Sequence, residues 1–190
     1  MTLTPKNSGW IEVITGSMFS GKTEELIRRM RRAEIAKMKT GLFKPFIDSR
    51  YSTKHVVSHN QSKLESIMVT TAVEIIKHSN KMDVVGIDEA QFFDHKIIQV
   101  CKQLADKKIR VIVAGLDTDY KGNPFGFMPQ LMCEADYLDK LRAICVICGN
   151  PASYSQRTTS DSEQVLIGET DVYEARCRNC FEPPLDEMIK

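Results

Sequence analysis

The chain has 190 residues, a net charge of +1 from 26 Lys+Arg against 25 Asp+Glu, 42% hydrophobic content and six cysteines. That length suits one domain, or one with a small appendage, and the composition excludes wholesale disorder, a fibrous repeat and a protein devoted to wrapping nucleic acid. No apolar run approaches the roughly 18 residues of a membrane span, and the polar stretch Met1–Trp10 lacks the apolar core of a secretory signal. A cytoplasmic protein is expected, with cysteines serving as metal ligands or free thiols.

Trp10–Thr15 (WIEVIT) is an apolar run halted at Gly16 and predicts a buried strand. Thr23–Lys39 follows, with apolar residues at Leu26, Ile27, Met30, Ala33 and Ala36, a helical spacing. Thr40–Pro45 predicts a second strand, and the polar, turn-rich stretch Ile47–Lys63 a loop with a short strand at its end. Val69–Ser79 is expected to be a short helix, Met82–Asp88 a strand, Lys96–Lys107 a helix and Ile109–Gly115 another strand. Strands alternating with helices predict an α/β fold with a mainly parallel sheet. From about Leu141 the pattern changes to short polar segments, paired cysteines and turn signals. Residues 141–190 hold 5 basic and 8 acidic side chains, leaving +4 on the first 140. The expected organisation is therefore a nucleotide-binding domain over 1–140 and a small metal-binding domain over 141–190.

Gly16-Ser17-Met18-Phe19-Ser20-Gly21-Lys22-Thr23 fits G-x-x-x-x-G-K-[ST] between a predicted strand and a predicted helix. Glycines at both ends let the backbone curl so that N–H groups face phosphate oxygens, and the following helix adds its positive end. Lys22 is expected at the β/γ-phosphates and the Thr23 hydroxyl on Mg²⁺. The partner carboxylate is Asp88, which ends the apolar run Val84-Val85-Gly86-Ile87. Glu89 follows it, and adjacent acids at a strand end can divide the roles of metal ligand and proton acceptor. Glu89 could equally activate water in an ATPase, so these residues leave kinase and ATPase both open.

Cys145-x-x-Cys148 and Cys177-x-x-Cys180 bracket residues 149–176. Two such pairs predict a closed four-thiolate site for structural Zn²⁺ that pins both ends of a long loop; a redox dithiol is the competing reading. Cys101 and Cys133 have no such partners. Arg28-Arg29-Met30-Arg31-Arg32 is the densest basic cluster and reads as a solvated helix surface or subunit contact, with Met30 turned to the core.

In this order the phosphate loop, Asp88-Glu89-Ala90-Gln91-Phe92-Phe93, Gly115-Leu116-Asp117, Asn123-Pro124-Phe125-Gly126 and the two cysteine pairs closely resemble the type II thymidine kinases, from about Trp10 to Cys180. The resemblance implies a RecA-like core with a small zinc-ribbon-like domain carrying a lasso loop over the nucleoside. It also implies transfer of the γ-phosphoryl group of ATP to the 5′-hydroxyl of thymidine, a homotetramer, and feedback inhibition by the end-product triphosphate dTTP. ATP is then expected against residues 16–23 and Asp88, Glu89, Ala90 and Gln91, with Glu89 as the base. By the same resemblance Asp48 and Arg50 lie on the phosphate and metal side. Met18, Leu116, Tyr120, Phe125 and Tyr173 surround the base, and the lasso backbone at Val165, Ile167 and Gly168 bonds its edge. Tyr120 stands where many relatives have phenylalanine, and its hydroxyl needs a partner or solvent. Two other classes compete: a nucleic-acid-binding zinc-ribbon ATPase, which would need an aromatic and basic stacking surface, and a nucleotide-binding regulator.

Overall fold

The computed structural model describes residues 8–46, 55–57, 63–159 and 172–183. Asp48, Arg50, Val165, Ile167, Gly168 and most of the 47–63 loop lie outside the described residues. The chain opens with β1 (Trp10–Thr15), α1 (Lys22–Ile35) and β2 (Thr40–Pro45). Next come β3 (His55–Val57), β4 (Lys63–Glu65), β5 (Ile67–Val69), α2 (Ala72–His78) and β6 (Val84–Ile87). A 3-10 turn over Ala90–Phe92 leads to α3 (Lys96–Asp106), β7 (Arg110–Gly115), α4 (Met128–Glu134) and β8 (Tyr137–Lys140). The chain then forms β9 (Ala143–Ile144), β10 (Pro151–Ala152), β11 (Tyr154–Arg157) and β12 (Tyr173–Arg176).

Six strands form one sheet in the order β5-β2-β6-β7-β1-β8, parallel at every pairing. The α/β class and the parallel sheet are as expected. β7 lies between β1 and β6, so the strand that leads into the phosphate loop and the strand that ends at Asp88 are separated by one strand, the RecA-like arrangement. Because side chains alternate along a strand, the four inner strands β2, β6, β7 and β1 each feed two cores. Ile11, Val13, Val85, Ile87, Val111 and Val113 pack under α2, α3 and α4. Ile14, Leu42, Val84, Ile112 and Ala114 pack under the Leu26, Ile27, Met30 and Ala33 stripe of α1. Burial on both faces explains why these strands read as continuous apolar runs.

Several boundaries differ from the pattern-based expectation. α1 stops at Ile35 because Lys37 turns left-handed (φ 63) and Met38 N–H bonds back to the Ala33 carbonyl. Val69 closes β5 instead of opening a helix; α2 begins at Ala72, behind the capping box of Thr71 and Glu74. α4 and the edge strand β8 were not anticipated. Past Lys140 the chain leaves the large sheet and makes two antiparallel two-stranded sheets, β9–β10 and β11–β12.

Met30 is buried and Arg28, Arg31 and Arg32 are exposed, as the helix pattern implies. Arg29 departs from the expected solvated surface. Its guanidinium meets Glu12 at 2.7 Å, Glu25 at 2.8 Å and Asp139 at 2.6 Å, while Arg110 meets Glu12 at 2.6 Å. This network ties α1 to β1, β7 and β8. Burial works against the charged form of Glu12, but hydrogen bonds from Arg110, Trp10 and Arg29 hold its carboxyl below the ordinary range. The Arg28 and Arg29 guanidiniums pull Glu25 from 4.5 to about 2. A carboxyl depressed in the folded state contributes stability above its unfolded value and loses it as pH falls toward the folded one. Resistance to urea should therefore decline between pH 4.5 and about 2. Glu12→Gln should cost roughly 2–4 kcal/mol at pH 7 and flatten that decline; unchanged stability at pH 7 would contradict the network's role.

Candidate active site

β1 runs out at Thr15, whose hydroxyl donates to the Gly115 carbonyl at the end of β7 (3.0 Å), and the chain turns at Gly16. Gly16 adopts φ 140, and the Leu141 carbonyl oxygen occupies the space a Cβ would need, so no side chain fits there. Phe19 (φ 63) and Gly21 (φ 84) are also left-handed, which winds residues 16–21 into a compact loop before α1. Among the described residues no side chain caps the N-terminus of α1, a helix end whose first-turn N–H groups suit an anion. Lys22 Nζ donates to the Ser17 carbonyl at 2.7 Å. Burial lowers the Lys22 ammonium below its ordinary range, while the charges of Glu89, Asp88 and Asp117 work the other way. The Ser20 hydroxyl is buried and has no hydrogen-bond partner among the described residues, a polar atom suited to an added ligand.

The end of β6 brings the second half. Asp88 is buried, with its N–H on the Phe43 carbonyl of β2 at 2.9 Å. Burial, and then the charge of Glu89, push the Asp88 carboxyl up to about 7, with Lys44 and Lys22 partly offsetting. Two crowded acids beside a partly buried lysine form a donor set that a divalent cation fits, because its charge relieves their repulsion. Glu89 takes a left-handed conformation (φ 52) ahead of the 3-10 turn, an uncommon one for a side-chain-bearing residue. Ala90 is wholly buried. Gln91 Nε2 donates to the Glu89 carboxylate at 2.5 Å, and Gln91 Oε1 accepts from Leu116 N–H at 3.0 Å. Gln91 thus holds Glu89 against the end of β7. Gln91, expected among the ATP contacts, makes this bridge among the described residues.

Beyond β7, the Asp119 carboxylate caps the N–H groups of Lys121 (2.9 Å) and Asn123 (3.0 Å), folding 117–127 into a tight loop. It presents Tyr120 and Phe125, both buried, with Phe125 edge-on to Phe92 at 5.5 Å. Tyr173, on β12, sits opposite Arg157 of β11. Arg157 is the residue that sequence analysis missed. Its guanidinium lies 3.7 Å from the centre of the Tyr120 ring and donates to the Tyr173 hydroxyl at 2.6 Å. Two predicted base-side tyrosines from distant segments are so joined through one buried cation. Only the cross-strand register reveals it, and nothing in the local pattern around Arg157 does. Met18 is half-buried beside β11, with its N–H on the Ser155 hydroxyl at 2.9 Å.

Cys145, Cys148, Cys177 and Cys180 converge, with all four sulfurs within 4.8 Å of one another. Cys148 Sγ lies 3.5 Å from Cys177 Sγ and 3.6 Å from Cys180 Sγ. Thiolates bound about 2.3 Å from a tetrahedral centre stand about 3.8 Å apart, so the cluster fits zinc. No disulfide joins them. Burial disfavours the Cys145 thiolate, yet the N–H groups of Cys177, Cys148 and Ile147 bring its thiol down to about 6, which favours a metal-ready sulfur. Cys101 is buried, and burial pushes its thiol up to about 12; Cys133 is exposed and is not a member of the cluster. Zinc should co-purify in about one equivalent per chain, and Cys145→Ser should cut its content to under about a tenth; full zinc content in that variant would contradict the ligand set.

A family model described as thymidine kinase matches residues 9–181. The chain is 57% identical over 176 residues to the thymidine kinase of Rhodothermus sp. (strain ITI 518), covering 93% of this chain and 83% of that protein. It is 56% identical over 176 residues to the thymidine kinase of Bacteroides thetaiotaomicron, covering 93% and 88%. Against the thymidine kinase of Bacteroides fragilis (strain ATCC 25285) identity is 54% over 182 residues, covering 96% and 92%. The loop over 16–23, the acid pair and the cysteine cluster all fall inside the matched span, and the chain is an enzyme belonging to the thymidine kinase family.

Proposed function

We propose that the chain transfers the γ-phosphoryl group of ATP to the 5′-hydroxyl of thymidine, with deoxyuridine as a second acceptor, yielding dTMP in a salvage route. The observation that carries the reading is the convergence, at the ends of β1, β6 and β7, of a phosphate loop with a paired carboxylate whose second member is fixed by Gln91. Lys22 and the loop backbone hold the triphosphate, and Thr23 with Asp88 holds Mg²⁺, which when bound neutralises phosphate charge. Glu89 takes the proton of the 5′-hydroxyl as its oxygen forms a bond to the γ-phosphorus. The bond from that phosphorus to the β–γ bridging oxygen breaks, and ADP leaves. Positioning supplies most of the acceleration, and a base of this kind contributes typically 10²–10⁴-fold.

On the nucleoside side Met18, Leu116, Tyr120, Phe125 and Tyr173 form the base pocket, closed by the lasso that includes Val165, Ile167 and Gly168. Asp48 and Arg50 complete the phosphate side. The zinc clip belongs to a small domain over 141–190, appended to a nucleotide-binding domain over 1–140. Support for that division comes from the chain leaving the large sheet at Lys140. The family resemblance extends the proposal to a cytoplasmic homotetramer inhibited by dTTP, acting on small molecules and on neither nucleic acid nor membrane. No helix among the described residues is long and apolar enough to cross a membrane. Incubation with Mg-ATP and thymidine should give ADP and thymidine monophosphate in equal amounts. Glu89→Gln should keep ATP affinity within about twofold while turnover falls by about 10²-fold or more. Near-intact turnover would remove Glu89 as the base, and ATP hydrolysis to ADP and phosphate with no thymidine monophosphate formed would overturn the kinase reading.

A further inference from the structure

The phosphate loop is stitched to the cysteine-bearing segment at three successive residues. Ser17 Oγ donates to the Ala152 carbonyl of β10 at 3.4 Å, and Met18 N–H donates to Ser155 Oγ of β11 at 2.9 Å. Phe19 packs on a small apolar cluster built from Ala143, Cys145, Ala152, Ala175 and Cys177. Two of those five are members of the four-sulfur group, and a third member, Cys180, packs against the same cluster. Phe19 holds a left-handed conformation (φ 63), which a residue of its bulk keeps only when its surroundings over-determine it. The cluster is too small to be a stable core by itself, since three of its members are alanines. Its rigidity depends on what fixes the sulfurs.

We propose that the zinc cluster buttresses the phosphate loop, with Phe19 and Ser155 as positioning residues, so that metal occupancy sets the affinity for the ATP triphosphate itself. A closed tetrahedral site fixes all four sulfurs. The floor beneath the Phe19 ring is then rigid, and the ring holds residues 17–20 in the curl that phosphate requires. Ser155 performs the same task by a hydrogen bond, fixing the Met18 peptide plane one residue earlier. The arrangement couples the sulfurs to the loop directly: loosening the sulfurs loosens Phe19, and the loop pays entropy on binding that the clipped protein has already lost. This inference rests on the reading of residues 16–23 as the ATP-phosphate site.

The test is calorimetric binding of a non-hydrolysable ATP analogue with Mg²⁺ to the full chain, with zinc content measured on every sample. Zinc-loaded wild-type protein sets the reference, and stripping zinc with a chelator under reducing conditions should weaken binding about tenfold. Ser155→Ala, with zinc retained, should weaken it about fivefold, the scale of one lost hydrogen bond. Ser155→Thr keeps the acceptor oxygen and should stay near wild type. Phe19→Ala should lose about tenfold with zinc in place and little more on stripping, because the two changes act through one contact. Should the stripped protein lose its fold, the zinc-loaded Phe19 and Ser155 variants decide alone. The coupling is overturned if those variants, or folded stripped protein, bind the analogue within twofold of wild type. Zinc-loaded wild-type protein that fails to bind the analogue overturns the phosphate-loop reading instead.

Discussion

Everything in this molecule follows from the parallel pairing of β1, β7 and β6. Parallel neighbours all end on the same side of a sheet, so the residues that follow them must share one rim. β1 and β7 are in register from Trp10 opposite Arg110 to Thr15 opposite Gly115, and β6 and β7 from Val84 opposite Arg110 to Ile87 opposite Val113. The loop over 16–23, the pair Asp88 and Glu89, and the segment from Leu116 to Phe125 are therefore delivered to one place from positions about a hundred residues apart. The opposite rim carries the Glu12, Arg29 and Arg110 network, which locks α1 to the strands and so fixes where the phosphate loop begins.

The rim has an electrostatic pattern suited to a triphosphate with its cation. Lys22 is a partly buried ammonium kept among the carboxylates of Glu89, Asp88, Asp117 and Glu24, and Asp88 is a buried carboxyl kept between Glu89 and two lysines. Neither group is comfortable alone; an arriving anion favours the lysine's charge and an arriving cation favours the acids'. Glu89 has a separate constraint. Its left-handed backbone and its bond to Gln91 set the direction of the carboxylate from both ends, and Gln91 is itself held by Leu116. In the proposed role of proton acceptor, a carboxylate fixed in this way loses little freedom when the acceptor hydroxyl arrives.

What could be read from the sequence was whatever is encoded within a few residues. The phosphate loop, the apolar run ending at Asp88 and the two cysteine pairs each carry their chemistry in local spacing, and the strands Trp10–Thr15 and Thr40–Pro45 have the bounds that their composition predicts. Contacts between distant segments were not readable. Met18 to Ser155, Arg157 to Tyr120 and Leu116 to Gln91 are made by folding alone, and no periodicity announces them. Helix ends failed for a related reason. The apolar spacing of α1 continues to Ala36, but a left-handed Lys37 ends the helix, while the capping pair Thr71 and Glu74 starts α2 three residues after Val69. β8 escaped notice because Tyr137–Lys140 is a short edge strand with Leu138, Asp139 and Lys140 all exposed, without the buried apolar run of its neighbours.

The central claim is that the rim orients Glu89 toward the hydroxyl that receives phosphate. A crystal structure of the zinc-loaded chain with thymidine, Mg²⁺ and a non-hydrolysable ATP analogue tests it most directly. The account predicts the 5′-oxygen within about 3 Å of the Glu89 carboxylate, in line with the γ-phosphate lying in the loop over 16–23. A nucleoside bound away from that rim, or a Glu89 carboxylate turned from the 5′-oxygen while the γ-phosphate is in place, would contradict it.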